Sequence, residues 1–431
     1  MKNKIIFEKT FLIIFLICSI TNAENWTTYM HDNSRSGISA EPVNATELNE
    51  IWKYNSAAPP MIAWDGGMPW DAFRSPSAAN AVRSTPMRDF DFVNFVTVAD
   101  GKLYFGSSVD DSVHCLDAGT GAEDWTFTTD GPVRFPPTIH NNKLYFGSDD
   151  GNAYCLDANS GTQIWKYTPA IPSRLIANNG KFIPMQPIRT GIAIYDGKAY
   201  FASSLVTWKE TYLCAVNANT GTEIYKVSGG ISPMGALLIS SSRIYIPQGR
   251  FPPAVFNRSN GSSVGNAGAH GQGGCYALLT SDPTPRFSYG WGIKHTNGYN
   301  LYEYNVDTLA SISKHLNGRH LIVSNEIAYL LTDTTLSAIN RKNNSNIWSV
   351  VTDCCYSLIL ADGILFAGGF NKIIAYDSAN GNELNSISVK GTARGLAASA
   401  HRLYVSTDNG SIFAYGEAYK PIINNTNELA Y

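Results

Sequence analysis

The sequence predicts an all-β fold. The expected architecture is an eight-bladed β-propeller with four antiparallel strands per blade, its ring closed by a strand from the N-terminus. Three observations predict it. One strand–turn–strand unit recurs along most of the chain. Most copies end in a tight turn followed by an aromatic residue. The last copy lacks an outer strand, and an unmatched strand of the right kind lies near the start.

The repeat reads GKLYFGSSVDDSVHCLDAGTGAEDW from Gly101 to Trp125 and NKLYFGSDDGNAYCLDANSGTQIW from Asn142 to Trp165. A third copy, GKAYFASSLVTWKETYLCAVNANTGTEIY, starts at Gly197, and further copies start at Ser242, Glu326, Gly363 and His401. Leu144-Tyr145-Phe146 has the β-branched and aromatic character of a half-buried strand. Asp149-Asp150-Gly151 is a turn, with the glycine supplying positive φ. Ala153 to Leu156 is the next strand, Asn159-Ser160-Gly161 the next turn, and Ile164-Trp165 opens an outer strand. The apolar stretch Pro136-Pro137-Thr138-Ile139 supplies the innermost strand. Units spaced by roughly 36 to 55 residues suit propeller blades.

Seven copies are plain, and seven blades is the alternative count. An eighth, degenerate copy lies between Gly273 and Ser313. Its expected strands are Cys275 to Leu279, Arg286 to Tyr289, Leu301 to Asn305 and Leu309 to Ile312. Leu48 to Tyr54, with Trp52, supplies the outer strand missing after the last copy, which removes two exposed edges.

The pieces LDAGTGAEDW and LDANSGTQIW resemble the Ala-x-Asp-x-x-Thr-Gly-x-x-x-Trp docking signature of PQQ-like (pyrroloquinoline-quinone-type) propellers. AVNANTGTEIY and YDSANGNEL match it in part. The resemblance implies that Trp and turn join neighbouring blades. It is specific for fold and weak for function. The family includes quinoprotein alcohol dehydrogenases, an outer-membrane assembly scaffold and many secreted proteins.

Residues 1–23 read as an export signal. Lys2, Lys4 and Lys9 precede the apolar core Phe11 to Ile20, and Thr21-Asn22-Ala23 ends in the small residue that a signal peptidase reads. Leu16-Ile17 before Cys18 lacks the small residue of a lipid-anchor signal. Residues 24–431 are then one propeller domain, secreted or periplasmic, and no other segment is apolar for long enough to span a bilayer. Removing Lys2, Lys4, Lys9 and Glu8 takes the formal net charge from −3 to −5, which argues against a nucleic-acid partner.

Propeller sites gather where the inner strands begin. Counting eleven residues back from the second-strand aromatic finds Arg134, Arg189, Met234 and Cys354. Arg319 and Arg394 fall close to the same place, and Arg83 lies just ahead of the first copy. Converging guanidiniums suit carboxylates, sulfates and phosphates. The plainer reading pairs them with acids such as Asp89, Asp91 and Asp353, holding the top of the ring. Trp64 and Trp70, in the Gly/Pro-rich stretch Ala58 to Asp71, are candidates for stacking on a sugar or a quinone. Ile171 to Gln186 and Arg250 to Gly274 are the other long insertions. Cys354 and Cys355 are adjacent, so a strained vicinal disulfide is one reading and two separate thiols the other. Cys115, Cys155 and Cys214 share one repeat position and read as buried small residues. No His-Glu-x-x-His or Cys-x-x-Cys spacing predicts a metal site.

Three functions fit these features. The first is binding of an anionic ligand, an acidic carbohydrate or a carboxylate cofactor, in an arginine-lined funnel. The second is a lyase that cleaves uronate polysaccharide by β-elimination, with His270, His295, His315 or His320 as base. The third, implied by the resemblance, is a quinoprotein oxidoreductase using PQQ with calcium. The calcium ligands and catalytic Asp of those enzymes have no matching residues here. A protein partner on a propeller face is compatible with all three.

Overall fold

A computed structural model describes residues 23–63, 94–170, 174–178, 180–205, 210–249, 251–268, 274–280, 285–290 and 300–417. Among these residues, six four-stranded sheets stand alone and two more are joined by one long strand, so eight blades follow in chain order. The inner strands of the first seven are Val96–Ala99, Thr138–His140, Ala193–Tyr195, Leu238–Ile239, Tyr276–Leu279, His320–Ser324 and Ser357–Ala361. The joining strand, Glu383–Ser399, begins as the outer strand of the seventh blade and ends as the inner strand of the eighth. Successive inner strands lie side by side, from the eighth back to the first, and so ring a central axis.

The degenerate copy is the fifth blade, Tyr276–Leu279, Arg286–Gly290, Asn300–Asn305 and Ser311–Leu316. Its fourth strand starts two residues later than expected, because Leu309 is held in the turn at φ 56°. The N-terminal strand is Asn49–Asn55, antiparallel to Ser411–Gly416. It completes the eighth blade. The Trp52 indole then donates to the Ala118 carbonyl of the first blade at 3.0 Å.

The same joint recurs around the ring. Trp125 donates to the Ala158 carbonyl at 3.2 Å, Trp165 to Ala218 at 2.9 Å and Trp348 to Ser378 at 3.0 Å. Each indole lies against the turn glycine of the next blade. A Cβ built on Gly161 would come within 2.7 Å of Trp125, and Gly161 sits at φ +70°. Only glycine meets both demands without strain. Cys115, Cys155 and Cys214 are fully buried on third strands.

No feature of the repeat marks residues 24–41, yet they are structured. Residues 24–41 cross the far end of the axis and touch all eight inner strands. Trp26 exchanges backbone bonds with Val98, and the Thr27 carbonyl accepts from Ile139. The Asn33 amide donates to Ile194 at 2.7 Å, and its backbone carbonyl accepts from Ile239. The Ser34 carbonyl accepts from Leu279, Gly37 abuts Ile322, and Ile38–Ser39 pairs in parallel with Leu360 and Ala361. The Ser399 hydroxyl donates to the Glu24 carbonyl at 2.6 Å. Arg35, 2% exposed, stakes this plug in place. Its guanidinium donates to the Leu237, Tyr29 and Asp32 carbonyls and to the Thr28 hydroxyl.

Candidate functional site

The plug meets the inner strands at their trailing ends, so a mouth remains to be sought at their leading ends. Arg134, Arg189, Arg319 and Arg394 lie there, each just ahead of or opening an inner strand. They form two groups.

In the first group, Arg134 and Arg189 share Asp149, which is fully buried in a turn of the second blade. Arg134 Nε donates to Oδ2 at 2.6 Å; Arg189 donates through Nε to Oδ1 at 2.6 Å and through Nη2 to Oδ2 at 2.7 Å. Burial alone would raise the Asp149 carboxyl, but the Arg189 and Arg134 charges outweigh it and hold the group below its ordinary range. Arg134 Nη1 also donates to the Met61 carbonyl at 2.9 Å. The insertion between the second and third blades carries a hairpin, Leu175–Asn178 and Lys181–Pro184. Asn178 donates to the Ala63 carbonyl at 2.5 Å, and Lys181 pairs with Asp111 of the first blade. Residues 61–63 and the hairpin thus cover this side.

The second group spans three blades. Arg319 of the sixth blade donates to Asp333 Oδ1 at 2.5 Å and to the Cys355 carbonyl at 3.1 Å. Asp333 holds the repeat position of Asp149, so the sixth blade repeats the pairing of the second. The Arg319 guanidinium also lies 5.4 Å from the Tyr356 ring centroid, and that of Arg394, from the eighth blade, lies 5.2 Å from the same ring. His320 adjoins them, with Nε2 3.1 Å from the Tyr356 carbonyl. Burial and the Arg319 charge push this imidazole down to about 3.

Of the acids expected to balance the arginines, only Asp353 is among the described residues, and its partner is a lysine. Asp353 pairs with Lys372 at 2.6 Å, while Asp89 and Asp91 lie outside the described residues. The sequence signal for the true partners is the acid four residues past the second-strand tyrosine, Tyr145 to Asp149 and Tyr329 to Asp333. Taken alone, that spacing is indistinguishable from turn chemistry.

Residues 43–224 match the PQQ-repeat family model described as outer membrane protein assembly factor BamB. Over this stretch the chain is similar to the PQQ-like β-propellers. Solved structures agree at the level of fold. A europium-containing methanol dehydrogenase superposes with a TM-score of 0.62 at 11% identity, over 91% of this chain and 98% of that one. Quinohemoprotein alcohol dehydrogenase ADHIIG from Pseudomonas putida HK5 gives 0.63 at 12%, over 92% and 81%. The computationally designed Ika8 protein gives 0.58 at 11%, over 83% and 99%. Likenesses this remote carry the fold and not the chemistry. No curated protein matches the chain.

The described residues of this PQQ-like propeller do not fit a quinone–calcium pair. Cys354 and Cys355 form no disulfide and are both buried. Cys354 Sγ packs where Gly369 leaves room, and burial pushes its thiol up to about 11. Among the described residues, no three His, Cys, Asp or Glu side chains converge as metal ligands. His315 lies on the outer strand of the fifth blade, since Ser311–Leu316 pairs with Asn300–Asn305 and the next inner strand starts only at His320. Its Nε2 is 3.2 Å from Glu303, a buried acid that also holds Arg286 and Arg341. Arg83, Trp64, Trp70, His270 and His295 lie outside the described residues. No helix among those described is long and apolar enough to cross a membrane.

Proposed function

We propose that this PQQ-like propeller is an exported binding protein for a small anionic ligand, a carboxylate-bearing saccharide by preference. The seat is Arg319, Tyr356 and Arg394. One observation carries the reading: two guanidiniums from different blades converge on one tyrosine at the end of the axis opposite the plug. Arg134 and Arg189 hold the ring through Asp149 and do not bind. Guanidinium forks give a carboxylate paired hydrogen bonds, and the tyrosine between them fixes their spacing.

Of the candidate bases for elimination, the two among the described residues are poorly suited. A β-elimination base works best with a pKa near the working pH, and His320, at about 3, is too weak. His315 is held by Glu303 on an outer strand. Titration calorimetry with oligogalacturonate and with a neutral oligosaccharide tests the proposal. Saturable, salt-sensitive binding of the first alone is expected. Arg319→Ala and Arg394→Ala should each weaken it about 10- to 100-fold, as loss of charged hydrogen bonds does, and Arg189→Lys should leave it unchanged. No saturable binding, or binding indifferent to both alanine variants, overturns it. An ultraviolet band of unsaturated uronate appearing during the titration would restore the lyase reading.

A further inference from the structure

The two ends of the plug meet. The backbone nitrogen of Glu24 donates to Glu41 Oε2 at 2.6 Å. Glu41 is 2% exposed, and its Oε1 accepts the His401 backbone N–H at 2.7 Å. Glu24 is clamped at its other polar atoms too. Its carboxylate accepts from the Ser39 hydroxyl at 2.6 Å and the Ala40 amide at 2.5 Å, and its carbonyl from Ser399. Ala23, one residue earlier, is exposed. A carboxylate buried against neutral amides is costly, because their hydrogen bonds offset only part of the lost hydration of its charge. A cation at the position of the Glu24 nitrogen would supply that charge in place. The export-signal reading puts the processed chain's first residue at Glu24.

We propose that the Ala23–Glu24 peptide bond is the processing site, and that its cleavage turns the Glu24 nitrogen into an α-ammonium paired with Glu41. The step is hydrolysis by an export signal peptidase. Water supplies hydroxyl to the Ala23 carbonyl carbon and a proton to the Glu24 nitrogen, and both new ends ionise. The pair then joins the first and last residues of the plug into a closed collar across all eight blades. Processing thereby completes the fold as well as releasing the chain. The other charged groups at the pair are the Glu24 carboxylate, His31, 3.3 Å from it, and the exposed His401 ring, 3.3 Å from Glu41.

The test begins with the intact mass and N-terminal sequence of the exported protein, which should start at Glu24. The α-amine is then probed by acylation rate against pH. A free α-amine titrates at about 7.7–8.0. Paired with Glu41 it should titrate at least about one pH unit higher and react roughly tenfold more slowly at about pH 8, because only the uncharged amine is acylated. Glu41→Gln should restore ordinary reactivity. A chain that retains Ala23, made for comparison, should also show an ordinary amine and a lower thermal midpoint. A different N-terminus overturns the proposal. So does an amine equally reactive in the wild type and the Ala23-retaining chain, even if the glutamine variant does not fold.

Discussion

Asp149 shows how a single residue can matter more to this protein than its arginines. It is fully buried with two guanidiniums on it. Asp149→Asn keeps the shape and removes the charge, leaving Arg134 and Arg189 facing a neutral amide. Loss of one partner from such a buried group should cost about 3 kcal/mol or more, measured by denaturant unfolding. The pH dependence follows from its lowered pKa. A carboxyl held below its unfolded value of about 3.9 adds stability above that pH, and loses it as pH falls through the folded value. The wild-type advantage over Asp149→Asn should therefore be full at neutral pH and shrink below about pH 4. If the gap were the same at pH 3 and pH 7, charge pairing would not be its source. The arginines were legible in the sequence, because a repeat fixes their register. Their partners were not, because Ser148-Asp149-Asp150-Gly151 reads equally well as an ordinary turn.

At the scale of the element, strand, turn and indole form one joint. Trp165 is 6% exposed and rests on Gly221, whose φ is +71°. Trp165→Ala should cost about 3–5 kcal/mol, as for large aromatic truncations in cores. Hydrogen exchange should show the loss first at the seam of the second and third blades. The joint also explains why one blade was hard to read. The fifth has Leu309 where five blades have the turn glycine, and the strand before it has Gly265 where the strand before each of those five has Trp or Tyr. Where the indole is gone, the turn no longer needs the space that only glycine leaves. The outer strand around Trp52 was legible despite its distance, because NATELNEIW carries the same spacing. Asn44 caps that turn by accepting from Thr46, and the Asn385 side chain donates to Ala45 as the indoles do elsewhere. The plug gave no such signal. It has no repeat and few apolar residues, and its bonds go to backbone groups that any sequence presents.

For the whole molecule, closure rests on two long-range contacts: Trp52 against the first blade and the plug against all eight. Trp52→Ala should lower the unfolding midpoint and speed exchange in Asn49–Asn55 and Ser411–Gly416 before any other outer strand. Exchange rising uniformly in every blade would mean that the seam is not the weak point. Arg35→Met should cost at least about 2 kcal/mol, since the carbonyls it serves would be left unsatisfied in the interior. The plug also sets an order of events. Glu24 bonds to Ser399 across 375 residues, so the segment that leaves the ribosome near the beginning finds its last partner only near the end. Until then the growing arc has two raw edges and an open centre, and cannot use the contacts that make it a ring. Contacts of such long sequence separation fold slowly. Refolding should therefore be slow and limited by one late step, and a chain truncated before Ser399 should expose the plug to protease however well its own blades have formed. The chain thus spends its most vulnerable time as an unfinished circle, with Glu24 waiting for Ser399.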